Sequence, residues 1–114
     1  MPSENPAAVE EERLVSFMLD PASYEHEPKE VRLIQTHASL VLIAPPFVYK
    51  IKKPVDFGFL DYSSLEKRRH FCEQELRLNR RLCPEGYLEV IPITDDQGQL
   101  RLRGDGEPVE YALV

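Results

Sequence analysis

Phe47-Val48-Tyr49-Lys50-Ile51-Lys52 reads as a β-strand, and the company its lysines keep decides the fold. Side chains alternate across a strand, so Val48, Lys50 and Lys52 share one face while Phe47, Tyr49 and Ile51 share the other. Two short apolar runs precede it, Val31 to Gln35 and Leu40 to Ile43. Ala44-Pro45-Pro46 cannot continue a ladder and turns the chain into the lysine strand. Thr36-His37-Ala38-Ser39 connects the first two runs, giving an antiparallel meander.

Outward from the meander, Ser63 or Ser64 opens a helix of good helix formers that runs through Leu82 and ends at Cys83-Pro84-Glu85-Gly86. Phe71, Glu75, Leu78 and Leu82 fall on one face of it. A carboxylate in that stripe needs a partner, because burying it unpaired is costly. Glu73 has a surface explanation in an i,i+4 pair with Arg77, and Glu66 in a pair with His70. Tyr87 to Ile93 resumes strand character. A turn at Asp95-Asp96-Gln97-Gly98 leads to a short strand over Gln99 to Arg103, and Gly104 to Pro108 turns the chain into a last strand, Val109 to Val114. On the N-terminal side, Asn5-Pro6 looks like a helix start, Leu14, Phe17 and Met18 form its stripe, and Asp20-Pro21 stops it. Residues 21–30 read as a loop. The expected class is α+β: one domain over 1–114 with residues 1–8 disordered, an antiparallel sheet of about five strands, one long packed helix, and an extra N-terminal helix.

Composition narrows the function. At 114 residues, 42% hydrophobic and 30% charged, the chain is an ordinary globular domain. A formal charge of −6 argues against a nucleic-acid surface. The longest apolar stretch, Leu40 to Pro46, is too short to cross a bilayer, and the N-terminus lacks a secretory pattern, so a cytoplasmic protein is expected. Cys72 and Cys83 lack metal-ligand spacing and read as reduced core thiols.

The stretch from Val48 through Lys50 to Asp61 closely resembles a bacterial family related to aminoglycoside phosphotransferases. So do Thr36 to Ser39, Glu75 to Leu82 and Tyr87 to Ile93. The resemblance covers about residues 10 to 114, and members of that family often carry a P-loop ATPase or kinase domain further along. The element order also matches the small lobe of a protein-kinase-like fold. The resemblance implies a nucleotide site in which Lys50 binds phosphate, Val48 contacts adenine and Glu75 orients Lys50. Lys52, on the same face, is the rival for the phosphate, and Lys53 faces away. Apart from the resemblance, all three lysines read as surface charge on an edge strand. Thr36 and Ser39 would occupy the place of the glycine-rich phosphate loop, or else form an ordinary hairpin turn. His37 reads as a turn residue.

Asp56-Phe57-Gly58 spells the magnesium-binding tripeptide of protein kinases, but it follows the lysine strand too closely and has no catalytic loop before it. It reads as a connector in which Phe57, Phe59, Leu60 and Tyr62 pack beneath the helix. No H-x-D segment appears. The expectation is therefore the ATP-binding small lobe of a phosphotransferase acting on a small-molecule hydroxyl, not active alone. ATP and Mg²⁺ would serve the whole protein, the Mg²⁺ ligands would lie outside this chain, and the missing C-terminal lobe is the implied partner. The segment near Leu113-Val114 would approach the hinge, and its bare apolar strand is a candidate edge for self-association. The alternative is a non-catalytic binding or regulatory module that keeps the architecture without the chemistry.

Overall fold

Six strands, one more than expected, form a single antiparallel sheet in the computed structural model, which describes residues 10–56, 58, 61–82, 86 and 88–114. In chain order they are β1 (Arg32–Gln35), β2 (Ser39–Ala44), β3 (Phe47–Lys52), β4 (Val90–Asp96), β5 (Gln99–Leu102) and β6 (Glu107–Leu113). In space they lie β1-β2-β3-β6-β4-β5. β5 stands where a short strand was expected over Gln99 to Arg103, and its hairpin with β4 is tighter than the sequence suggests. Asp95 and Asp96 stay in register opposite Leu100 and Gln99, leaving only Gln97 and Gly98 as the loop. Both loop residues have positive φ, 57° and 92°, the geometry that matches strand twist in a two-residue hairpin. The Asp95 carboxylate accepts the Gly98 N–H at 2.7 Å and pins the turn.

The closing strand, read from the sequence as a candidate edge for self-association, is an interior one. β6 pairs with β3 through Lys50↔Leu113 and Ile51↔Ala112, and with β4 along most of its length. The sheet's edges are β1 and β5.

The larger core lies on the face of β3 that carries Tyr49 and Ile51. Registers Leu42↔Tyr49, Leu40↔Ile51 and Ile51↔Ala112 put these residues in one layer. Leu14 and Met18 of α1 (Glu11–Leu19) and Tyr24 complete the cluster, and Met18, Leu42, Ile93 and Ala112 are fully buried. The helix start expected at Asn5-Pro6 lies outside the described residues. Asp20 ends α1 as expected and then caps a 3₁₀ turn, Pro21–Ser23, by accepting the Ala22 N–H at 2.9 Å.

The other long helix, α2 (Leu65–Leu82), lies over β6 and β4 on the lysine face. Ser64 caps it, its hydroxyl accepting the Lys67 N–H at 3.1 Å. The expected apolar stripe is corrected. Leu78 is 59% exposed, while among the described residues of the helix Arg68 and Cys72 are the buried ones. Spacings of four, three and four from Arg68 through Cys72 and Glu75 to Asn79 define the face turned to the sheet. Arg68 is buried because it has partners: its Nε donates to both oxygens of the buried Glu110 at 2.9 and 3.1 Å, and its Nη1 to the Tyr62 carbonyl at 2.9 Å. The expected end of the helix at Cys83-Pro84-Glu85 and the expected strand start at Tyr87 lie outside the described residues, as does the Leu82 side chain. Among the described residues no helix is long and apolar enough to cross a membrane.

Candidate functional site: the lysine face of the third strand

Alternation along β3 brings Val48, Lys50 and Lys52 to the face under α2, and the helix presents Glu75 to it. The carboxylate is shared. Its Oε1 accepts a hydrogen bond from Lys52 Nζ at 2.8 Å and its Oε2 from Lys50 Nζ at 3.2 Å. Lys50 and Glu75 are thus brought together, and Lys52, the rival from the sequence, is bound more closely still.

The two ammonium groups differ in surroundings. The Lys52 side chain is 5% exposed and that of Lys50 39%. Lys52 Nζ also lies 3.4 Å from the Tyr62 hydroxyl and 4.8 Å from the centre of its ring. Tyr62 is buried, packs on Phe71 at 5.4 Å between ring centres, and is fixed by its main chain, whose N–H donates to Val55 O and whose carbonyl accepts from Arg68. Tyr62 therefore does pack beneath the helix, while Phe57, Phe59 and Leu60 lie outside the described residues. Burial alone would lower the Lys52 pKa, but the hydrogen bond and charge of Glu75 outweigh it and raise the value above that of an ordinary lysine. Burial likewise works to raise the Glu75 pKa, and Lys52, then Lys50, outweigh it and hold the carboxyl below its usual range. The neighbouring Cys72 thiol is pushed up to about 11 by burial and stays neutral. Glu110, the other carboxylate under α2, is claimed by Arg68. Two lysines facing one carboxylate leave the cluster with one formal positive charge in excess, carried to solvent by Lys50.

Next to the ammonium groups the same face is apolar. Ile43 stands opposite Val48, Val41 opposite Lys50, and Ile34 opposite Val41. Ile34 is 51% and Val48 48% exposed, large values for such residues on a sheet. Val48 was legible from the sequence. Ile34, Val41 and Ile43 were not, although the alternation of β1 and β2 taken with the register would have found them.

Thr36 and Ser39 sit at the β1–β2 connection, at the lysine end of the face. The Thr36 hydroxyl accepts the N–H groups of Ser39 and Ala38 at 2.9 and 3.3 Å, and the Thr36 N–H donates to Ser39 O at 2.9 Å. This closes the hairpin turn. Ser39 is buried and stands in register with Lys52. His37 is exposed in the turn. Lys53 lies off the cluster, its Nζ 3.1 Å from Gln35 Oε1.

Asp56 serves a turn. Its carboxylate accepts the Gly58 N–H at 2.8 Å, and Gly58 has φ +88°, a conformation that favours glycine. Among the described residues no three His, Cys, Asp or Glu side chains gather to hold a metal ion. Glu73 pairs with Arg69 at 3.2 Å, one turn before it, instead of Arg77. A concavity of about 1300 Å³ lies elsewhere, on the face of Phe47 and Tyr49 between α1 and the β4–β5 hairpin. Its arginines are all paired, Arg13 with Asp95, Arg101 with Asp96 and Arg103 with Glu89, so it offers an anion no uncommitted cation. The lysine face, shallower but with charge in excess, is the better candidate.

Over 75 residues, 66% of its length, the chain is 36% identical to uncharacterized proteins of Mycobacterium bovis and Mycobacterium tuberculosis. It spans only 14% of the length of those relatives. No family model matches the chain, and no solved structure matches it.

Proposed function

We propose that this chain is the ATP-binding small lobe of a kinase-like phosphotransferase whose catalytic lobe lies outside it. The observation that carries the reading is the ion pair between a lysine of the third strand, Lys50, and a glutamate of the helix that follows, Glu75. Protein kinases hold their phosphate-binding lysine by that pairing of elements. The apolar patch of Ile34, Val41, Ile43 and Val48 beside Lys50 supports the same reading, since an adenine ring needs a flat apolar surface next to the cation that takes its phosphates. In this reading Lys50 binds phosphate oxygens, Glu75 keeps the ammonium over the sheet, and the β1–β2 turn closes the lysine end of the site. Magnesium ligands and the base for the acceptor hydroxyl belong to the other lobe, and the acceptor is a small molecule. The chain by itself binds nucleotide weakly and transfers nothing.

Titration of the chain with Mg-ATP, followed by backbone amide shifts, tests this. Shifts are expected at Val48, Lys50 and the Thr36–Ser39 turn, and they should vanish in Lys50→Met. Saturating behaviour centred on the Phe47 and Tyr49 face, or no response at millimolar nucleotide, would overturn the reading.

A further inference from the structure

We propose that Lys52 is a positioning residue: by holding one oxygen of Glu75 permanently, it keeps Glu75 from neutralising Lys50 and leaves Lys50 available to an anionic ligand. This rests on the anion-binding reading of Lys50 given above. A lone lysine–glutamate pair is electrically closed, and an arriving anion must compete with the carboxylate for the ammonium. Here the carboxylate is divided. Oε1 belongs to Lys52 at 2.8 Å and Oε2 lies 3.2 Å from Lys50.

The division is built in. Lys52, with 5% of its side chain exposed, sits too deep to be the group an incoming ligand meets, and its charge in so dry a place is tenable only with Glu75 beside it. The Tyr62 hydroxyl and ring complete its surroundings, and Tyr62 is itself tied to α2 through Arg68. Lys50, 39% exposed, retains ammonium protons that point to no other protein partner among the described residues. The buried lysine thus secures the glutamate, and the exposed one carries the surplus charge.

The test uses the 114-residue chain and inorganic tripolyphosphate as the probe, titrated calorimetrically at low ionic strength. Lys52→Met keeps the volume of the stem and removes the charge, so Glu75 turns wholly to Lys50. Affinity should fall by at least about tenfold, the effect of one unit charge a few ångströms away near a protein surface. Combining Lys52→Met with Glu75→Gln removes the competing charge while leaving an amide oxygen to hold the Lys50 ammonium in place, and affinity should return to within about threefold of the parent. A residue that only supported the fold would not be rescued by a second loss in the same cluster. Wild-type affinity in Lys52→Met, or a double variant that binds much more weakly than the parent, overturns the proposal. The double variant decides alone if the single one fails to fold, because a neutral pair is tolerated where a broken ion pair is not. Lys50→Met separates the two readings. If it leaves tripolyphosphate binding unchanged, the anion site itself is wrong and Lys52 has nothing to position. If it abolishes binding while Lys52→Met does not weaken it, only the role of Lys52 falls.

Discussion

Replacing Glu75 with Gln should damage the fold more than replacing its exposed partner Lys50, because it strands a buried charge. In Glu75→Gln the Lys52 ammonium, in a side chain 5% exposed, keeps an amide oxygen and the Tyr62 hydroxyl at 3.4 Å but loses its counter-ion. Breaking a fully buried pair from one side costs about 3–5 kcal/mol. Glu75 retains 20% exposure and Lys50 remains nearby, so solvent screening reduces the expected loss to roughly 2–4 kcal/mol. Lys50→Met, by contrast, leaves Glu75 with its closer partner and should cost less than about 1 kcal/mol. Urea unfolding at neutral pH, with unchanged m-values, gives both numbers.

The pH dependence provides a second check on the same residue. In the parent, Lys52 has a raised folded pKa, so its contribution is whole below the unfolded value of about 10.4 and fades as pH rises through the folded one. The lowered pKa of Glu75 contributes above about 4.3 and is lost as pH falls through its folded value. In Glu75→Gln the sign for Lys52 reverses, since burial is then opposed by no charge. The unfolded chain binds the proton better, and stability should increase as pH rises toward 10. A loss below about 0.5 kcal/mol together with an unchanged alkaline limb would refute the view of Lys52 as a charge dependent on Glu75.

Other substitutions probe what holds the lysine face in place. Arg68→Met should cost about 3–5 kcal/mol by stranding Glu110, whose side chain is 4% exposed. Burial already raises the Glu110 pKa against the pull of Arg68, so the deficit relative to the parent should shrink as pH falls from 7 to 5, measured by urea midpoints. Leu42→Ala, at a fully buried position under Tyr49, should cost about 2–5 kcal/mol in the same assay. Gly106→Ala would drive a Cβ into the Asp95 carbonyl oxygen and should lower the thermal midpoint, with a loss of more than about 1 kcal/mol.

Much of the fold was legible because its elements are punctuated by strong local signals. Asp20-Pro21, Ala44-Pro45-Pro46 and Ser64 mark boundaries that the structure keeps within a residue or two. The β3 alternation placed Val48, Lys50 and Lys52 on one face, and the pattern of α2 turned Glu75 toward it. What failed was the inner face of α2. A search for apolar spacing selects Leu78 and passes over Arg68, since an arginine counts as surface until its partner is known. That partner, Glu110, is 42 residues away and becomes a neighbour only when β6 inserts between β3 and β4. The apolar patch was missed for a different reason: its members come from three consecutive strands and share a face only once their registers are set against one another. Periodicity reads one element at a time, and polar groups buried by pairing are a property of two.

The two ion-pair clusters described beneath α2 have different consequences. At the start of the helix, Arg68 and Glu110 satisfy each other in a dry setting, 8% and 4% exposed, and Arg68 also grips the Tyr62 carbonyl. That pair is balanced, so it fixes where the helix lies and attracts nothing. Two turns on, Glu75 faces two lysines, and the balance is deliberately unequal in geometry: the buried lysine is closer, the exposed one farther. A ligand anion approaching Lys50 therefore competes with the longer contact only, while the shorter one continues to hold the glutamate and, through it, the helix. Binding need not loosen the fold. In a protein with a formal charge of −6, an anion has little general attraction to the surface. A local surplus of one positive charge, held rigidly against an exposed apolar patch, is the feature that would draw a phosphate to this face and not to another.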